Sequence, residues 1–183
     1  GRHNVLNALA CVAVARLAGR DFDRIADALA HFHGAKRRFQ TKGKERGIWV
    51  VDDYAHHPTE IAATLAAARQ TEPGRLVCVF QPHRYSRTQL LRAEFGGCFA
   101  AADLLLLTDV YAAGEAPIPG ISGETLMEEV ARQTGQDAVY LPERADLVQY
   151  LAEHVRPGDL VITMGAGNIL EVGEELVARL KEG

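Results

Sequence analysis

Leu76-Val77-Cys78-Val79-Phe80-Gln81-Pro82-His83-Arg84-Tyr85-Ser86-Arg87-Thr88 holds both the fold and the chemistry of this chain. Its first five residues are apolar without polar alternation, which suits a strand buried on both faces rather than a half-wet one. Leu104-Leu105-Leu106-Leu107 repeats that pattern. Working outward, strands are expected at 37–41, 48–52, 75–81, 103–109, 137–141 and 159–164. Helices are expected over 58–70, 87–101, 122–134, 143–155 and 169–181. The strand pair 37–41 and 48–52 flanks a charged turn, Lys42-Gly43-Lys44-Glu45-Arg46-Gly47. Val/Leu/Ile strands alternating with amphipathic helices predict an α/β, Rossmann-like, doubly wound, mostly parallel sheet with right-handed crossovers.

The first residues follow a different grammar. Val5, Leu6, Leu9, Val12, Ala13 and Leu17 lie at helical spacing over 3–17, and Gly19 stops that helix. A second helix starts at Asp21-Phe22-Asp23, carries Ile25, Leu29 and Phe32 on one face, and is expected to end at Gly34. Two short helices cannot enclose a core. Residues 1–34 therefore read as the helical end of a preceding domain, and 35–183 as a complete α/β domain.

Composition sets the outer limits. At roughly 150 residues per domain, 183 residues make one domain and a fraction. With 48% hydrophobic and 24% charged residues, a disordered tail, a fibre and a disulfide mini-protein are excluded. A net charge of −4 gives no field that attracts nucleic acid or an anionic membrane. No apolar run approaches the roughly 18 residues of a membrane span. Cys11, Cys78 and Cys98 lack metal or redox spacing and are expected as reduced core thiols of a cytoplasmic protein. The chain opens Gly1-Arg2-His3-Asn4, without an initiator Met, and is expected to be part of a longer protein.

In doubly wound sheets, ligands bind outside the carboxyl ends of the strands. Asp52-Asp53-Tyr54-Ala55-His56-His57-Pro58 follows one strand and Gln81 to Thr88 another. Asp109, Tyr111 and Glu115 follow a third, and Gly165-Ala166-Gly167-Asn168 a fourth. Asp53 suits ribose hydroxyls and Tyr54 a base, while Asp52 or His57 suits the cap of helix 58–70, with Pro58 in its first turn. A zinc site from His56, His57, His83 and Asp53 is the rival reading of that loop. Arg84 and Arg87 lie three apart, share a helical face, and suit a carboxylate or phosphate through forked hydrogen bonds. Most of Lys36, Arg37, Arg38, Lys42, Lys44 and Arg46 reads as solvated edge charge. Arg38, beside Phe39 at the entry to the sheet, is the one singled out. Gly165-Ala166-Gly167 lacks the third glycine of a dinucleotide loop and reads as a tight turn positioning Asn168. No Gly-x-x-x-x-Gly-Lys-[Ser/Thr] loop and no hydrolase elbow occurs.

Gly1-x-His3-Asn4-x-x-Asn7, Arg37-Arg38-Phe39, Asp52 to Glu60, Gln81 to Thr88 and Tyr111 to Ile118 together resemble a Mur ligase, from residue 1 to about 170. The Asp-Asp-Tyr-x-His-His-Pro and His-Arg-Tyr-Ser-Arg-Thr forms favour the L-alanine-adding branch. The resemblance implies residues 1–34 as the end of a central ATPase domain and 35–183 as a C-terminal Rossmann-like domain. It implies an ATP-dependent ligase of peptidoglycan synthesis that joins L-alanine to UDP-N-acetylmuramate through an acyl phosphate, with Mg²⁺ held outside this chain. Asn4, Asn7, Arg38, Asp53 and Tyr54 would bind ATP. His56, Arg84 and Arg87 would hold L-alanine. No catalytic residue and no metal ligand is implied within these residues alone, and the isolated chain is expected to be inactive. A non-catalytic nucleotide- or anion-binding module is the alternative, and a metal-dependent hydrolase the third reading.

Overall fold

The computed structural model describes residues 2–32 and 34–182. Gly1, the first residue of the Gly1-x-His3-Asn4 motif, lies outside them. The chain divides into two compact units, Gly1–Lys36 and Arg37–Gly183.

The first unit is a pair of helices, α1 (Arg2–Leu17) and α2 (Phe22–Ala30). Gly19 at φ 75° lets the chain turn after α1, and the Arg20 N–H closes the end by donating to the Ala15 carbonyl at 3.0 Å. Asp21 caps α2 by accepting from Asp23 N–H. The second helix ends at Ala30 rather than at Gly34. There the His31 ring lies 2.8 Å from the Asp27 carbonyl and takes up a last-turn acceptor. Phe32 therefore lies beyond the helix and is exposed. Cys11 is also exposed, so only Cys78 and Cys98 are core thiols. Burial pushes the Cys98 thiol up to about 12 and Cys78 well above its ordinary value.

The second unit is the α/β domain. Its strands are β1 (Gln40–Glu45), β2 (Ile48–Asp53), β3 (Arg75–Phe80), β4 (Leu104–Leu107), β5 (Ala138–Tyr140) and β6 (Asp159–Met164). Its helices are α3 (Pro58–Arg69), α4 (Tyr85–Leu90), α5 (Arg92–Gly97), α6 (Gly123–Thr134), α7 (Arg144–His154) and α8 (Leu170–Glu182). The sheet order is β1-β2-β6-β3-β4-β5, with only β1 antiparallel. The expected Rossmann-like doubly wound architecture is present. Successive strand residues serve opposite faces, as the pleat requires. Leu76, Cys78 and Phe80 pack with Ile61 and Leu65 of α3, Phe95 of α5 and Leu126 of α6. Val77 and Val79 pack on the other face, with Leu147 of α7 and Val172 and Leu176 of α8. Among the described residues, no helix is long and apolar enough to cross a membrane.

Three expectations shift. β1 starts at Gln40, because Arg37 and Phe39 take left-handed backbone (φ 57° and 47°) that no strand accommodates. The charged turn shortens to Arg46-Gly47, both at positive φ, as a two-residue hairpin requires. The single helix expected over 87–101 is two short ones that meet at Leu91 (φ −105°, ψ 17°), and the second stops at the Gly96-Gly97 pair.

Candidate functional site

Parallel alignment of β2, β6, β3 and β4 brings four strand exits to one edge of the sheet. At the β2 exit the paired residues separate. Asp52 is fully buried; Oδ2 accepts from Arg37 Nε at 2.8 Å and Oδ1 from Thr163 Oγ1 at 2.8 Å. It caps nothing. His57 caps α3 instead, its Nδ1 accepting from Thr59 N–H while Glu60 reaches back to the His57 N–H. Asp53 is 5% exposed, and its two oxygens accept from Phe39 N–H (2.7 Å) and Ala55 N–H (2.8 Å). Burial raises its pKa, partly opposed by those two N–H donors and by Arg38. Asp53 thus shapes the 37–39 turn and leaves only a narrow rim open to a ligand.

Tyr54 and His56 point the other way, into a row of rings. Their centroids lie 5.5 Å apart and edge-on. His56 lies 5.8 Å from His83, and His83 stacks on Tyr111 at 5.7 Å with planes 10° apart. The β3 and β4 exits support this row, since Arg84 N–H donates to the Tyr111 carbonyl and Tyr111 N–H to the Pro82 carbonyl. Arg87 Nη1 lies 3.4 Å from His83 Nδ1, so a neutral ring accepts from the guanidinium. Burial first, then Arg87, His56 and Arg84, lower the His83 pKa, while Glu115 opposes them. These neighbours favour the neutral ring. Arg84 occupies left-handed backbone at φ 68° and its side chain is exposed. Glu115, from the long loop after β4, accepts from Ser86 Oγ (2.6 Å) and Ser86 N–H (3.0 Å) and ties that loop to the arginine segment. Those bonds hold the Glu115 carboxyl below its ordinary pKa.

The β6 exit closes the edge. A Cβ on Gly167 would press on the Gln81 amide and lie 2.6 Å from Tyr111 Cγ, so any side chain there must push these two neighbours aside. Asn168 is positioned as expected, accepting from Gln81 Nε2 at 3.0 Å. Arg37 Nη2 donates to the Gly165 carbonyl (2.7 Å) and Nη1 to the Gly167 carbonyl (3.0 Å).

Of the residues singled out in the sequence, Tyr54, His56, Arg84 and Arg87 share this edge with His83, and Asp53 lies beneath them. Arg38 is exposed in the 37–39 turn. Asn4 and Asn7 lie one turn apart on α1 of the other unit, both exposed. The residues of the zinc reading are not gathered. Among the described residues, no three His, Cys, Asp or Glu side chains converge on a metal position. His57 is turned to its cap, and Asp53 is committed to backbone. Arg37 is no solvated edge charge, although nothing in Arg37-Arg38 separates a clamped arginine from a free one. Its partners lie 15 to 130 positions away.

Comparison with known proteins identifies the family. A family model described as Mur ligase, glutamate ligase domain, matches residues 37–167. The UDP-N-acetylmuramate–L-alanine ligase of Trichlorobacter lovleyi is 58% identical over 181 residues, 98% of this chain and 40% of that protein. The enzyme of the same name from Desulforamulus reducens is 55% identical over 182 residues, 100% of this chain and 39% of that protein. The solved UDP-N-acetylmuramate–alanine ligase of Thermotoga maritima matches with a TM-score of 0.82 at 30% identity, covering 99% of this chain and 38% of that one. The chain spans about two fifths of the length of the curated relatives it matches. With its α/β unit matched over residues 37–167, the chain belongs to the Mur ligase family.

Proposed function

We propose that these residues form the amino-acid-receiving part of an ATP-dependent ligase that joins L-alanine to UDP-N-acetylmuramate in peptidoglycan synthesis. One observation carries the reading. Arg84 and Arg87 stand beside a row of rings at the carboxyl edge of the sheet, and among the described residues neither is paired with a carboxylate. Guanidiniums in that setting fit an incoming carboxylate through charge-assisted bonds. Arg87, steadied by His83, and Arg84 hold the amino acid's carboxylate, and His56 lies beside them to orient its amine. The names carried by the similar proteins support L-alanine as that amino acid.

ATP enters this reading as a substrate. Arg38 supplies an exposed cation for its γ-phosphate, Tyr54 a face for its base, and the Asp53 rim an acceptor for ribose. Asn4 and Asn7 of the helical unit are assigned to adenine and ribose by the likeness of their motif. Mg²⁺ does not fit the carboxylates of this edge: each oxygen of Asp52 and of Asp53 is already turned to a protein donor, and Glu115 is tied to Ser86. The ion's ligands are assigned to the remainder of the longer protein, and no step is derived through it. The net charge of −4 accords with a cytoplasmic enzyme of small molecules rather than a binder of nucleic acid or membrane.

The test uses a protein of the relatives' full length that carries this segment. Arg84→Ala is expected to raise the KM for L-alanine roughly 10- to 100-fold, the worth of a hydrogen bond to a charged group, with the KM for ATP within about twofold. Equal rises in both constants overturn the carboxylate role. The 183 residues alone are expected to show no ATP-dependent ligation, and measurable turnover by them contradicts the division of labour.

A further inference from the structure

Arg37 is held more completely than any other cation at this edge. Its three donor nitrogens reach the Asp52 carboxylate and the carbonyls of Gly165 and Gly167, so one planar fork joins the exits of β2 and β6. Its side chain is 17% exposed and that of Asp52 is 0% exposed. The same residue holds Tyr54 from two directions. The Arg37 carbonyl accepts from the Tyr54 N–H at 2.7 Å, and its Cζ lies 4.9 Å from the centroid of the Tyr54 ring. The left-handed backbone of Arg37 is what lets carbonyl and guanidinium face the same neighbour, and Gln40 Oε1 secures that turn by accepting from Arg37 N–H at 3.0 Å.

We propose that Arg37 is a positioning residue for the nucleotide: it fixes the Tyr54 ring as a platform for the purine base of ATP without touching ATP itself. The assignment rests on the reading of Tyr54 as the base contact. Tyr54 is 37% exposed, so the guanidinium backs the ring and still leaves surface for a base. A cation behind an aromatic ring is a favourable partner, and a ring already held in place loses little side-chain freedom when a ligand stacks on it. Lysine cannot reproduce the clamp, because its ammonium lacks the planar fork that serves three acceptors at once. The adjacent Arg38, exposed in the same turn, has no share in it.

A double-substitution cycle in the full-length ligase separates positioning from mere structure. Arg37→Lys is expected to raise the KM for ATP about tenfold and to leave the KM for L-alanine within about twofold. In a Tyr54→Leu background, the same change is expected to move the KM for ATP by less than about twofold, since the platform is already gone. Thr163→Val serves as the structural control. It removes the other donor to Asp52 and is expected to lower the unfolding midpoint while leaving both KM values in place. Arg37 effects that multiply equally in both backgrounds overturn the assignment. So does a Thr163→Val protein whose KM for ATP rises like that of Arg37→Lys. A wild-type protein that shows no L-alanine-dependent ATP turnover overturns the functional reading, and the assignment with it. Turnover combined with independent effects overturns the assignment alone.

Discussion

Two groups of cations stand on one edge of this sheet, in opposite states of satisfaction. Around Arg37, each guanidinium nitrogen has a protein partner, both oxygens of Asp52 accept a hydrogen bond, and the carbonyls of Gly165 and Gly167 are drawn into the same network. Around Arg84 and Arg87, the guanidiniums face solvent or a neutral imidazole, and the nearest carboxylate of their own loop pair, Glu115, is occupied by Ser86. A buried charge that is paired and hydrogen-bonded holds a loop still and is costly to unpair, whereas unsaturated charge at a rigid edge has its hydrogen bonds left for something else. The first group reads as scaffold and the second as receptor. That contrast, more than any single residue, carries the functional reading.

The comparison breaks most readily at Asp52. Asp52→Ala leaves the half-buried Arg37 without its carboxylate, and is expected to cost about 3 to 5 kcal/mol of unfolding free energy in urea. A loss below about 1 kcal/mol would place Arg37 among the solvated cations instead. Gly167→Ala comes next. Its added Cβ must displace the Gln81 amide or the Tyr111 ring, and is expected to cost about 1 to 3 kcal/mol and to disturb the His83–Tyr111 stack. An unchanged urea midpoint and unchanged His83 ring chemical shifts contradict the close packing of this exit.

The receptor side is sharpened by pH. His83 has a folded pKa below its ordinary 6.5. The neutral ring's contribution to stability is therefore fully present above 6.5, and is lost as pH falls through that value and the lower folded one. His83→Asn, which keeps a hydrogen-bond acceptor and cannot protonate, is expected to flatten that part of the stability–pH curve. The check is unfolding measured between about pH 7.5 and about 5. The smallest effect belongs to Arg84→Ala and Arg38→Ala. Neither side chain holds a protein partner among the described residues, so each is expected to change stability by less than about 0.5 kcal/mol. A loss as large as that of Asp52→Ala would erase the distinction between the two groups.

Much of this was legible in the order of residues. The unalternating runs Leu76–Phe80 and Leu104–Leu107 announced strands covered on both faces, and the chain places both in the middle of a parallel sheet. The loops after β2, β3, β4 and β6 were identifiable because chemistry in such folds gathers at strand exits. The division of labour inside doublets was not legible. Arg37-Arg38 and His56-His57 each place one member in the scaffold and turn the other elsewhere, while Asp52 and Asp53 both serve the scaffold through different partners. For Arg37 and Asp52 the choice depends on partners such as Thr163, Gly165 and Gly167, more than a hundred positions away. Local spacing also hid the break at Leu91 and the left-handed turn at 37–39. The turn is fixed by its bonds to Asp52, Asp53 and the Gly165 and Gly167 carbonyls, and a periodicity has no way to register them.

Receptor and scaffold part company on one point, whether the unsaturated arginines receive a carboxylate. The most direct measurement compares kcat/KM for L-alanine with that for L-alaninamide, which keeps the amine and loses the carboxylate charge, in a protein of the relatives' full length that carries this segment and in its Arg84→Ala variant. The wild type is expected to prefer L-alanine by roughly 100-fold, and the variant to lose most of that preference, because the discriminating charge pair is gone. A preference unchanged by Arg84→Ala would contradict the assignment of this edge as the amino-acid receptor.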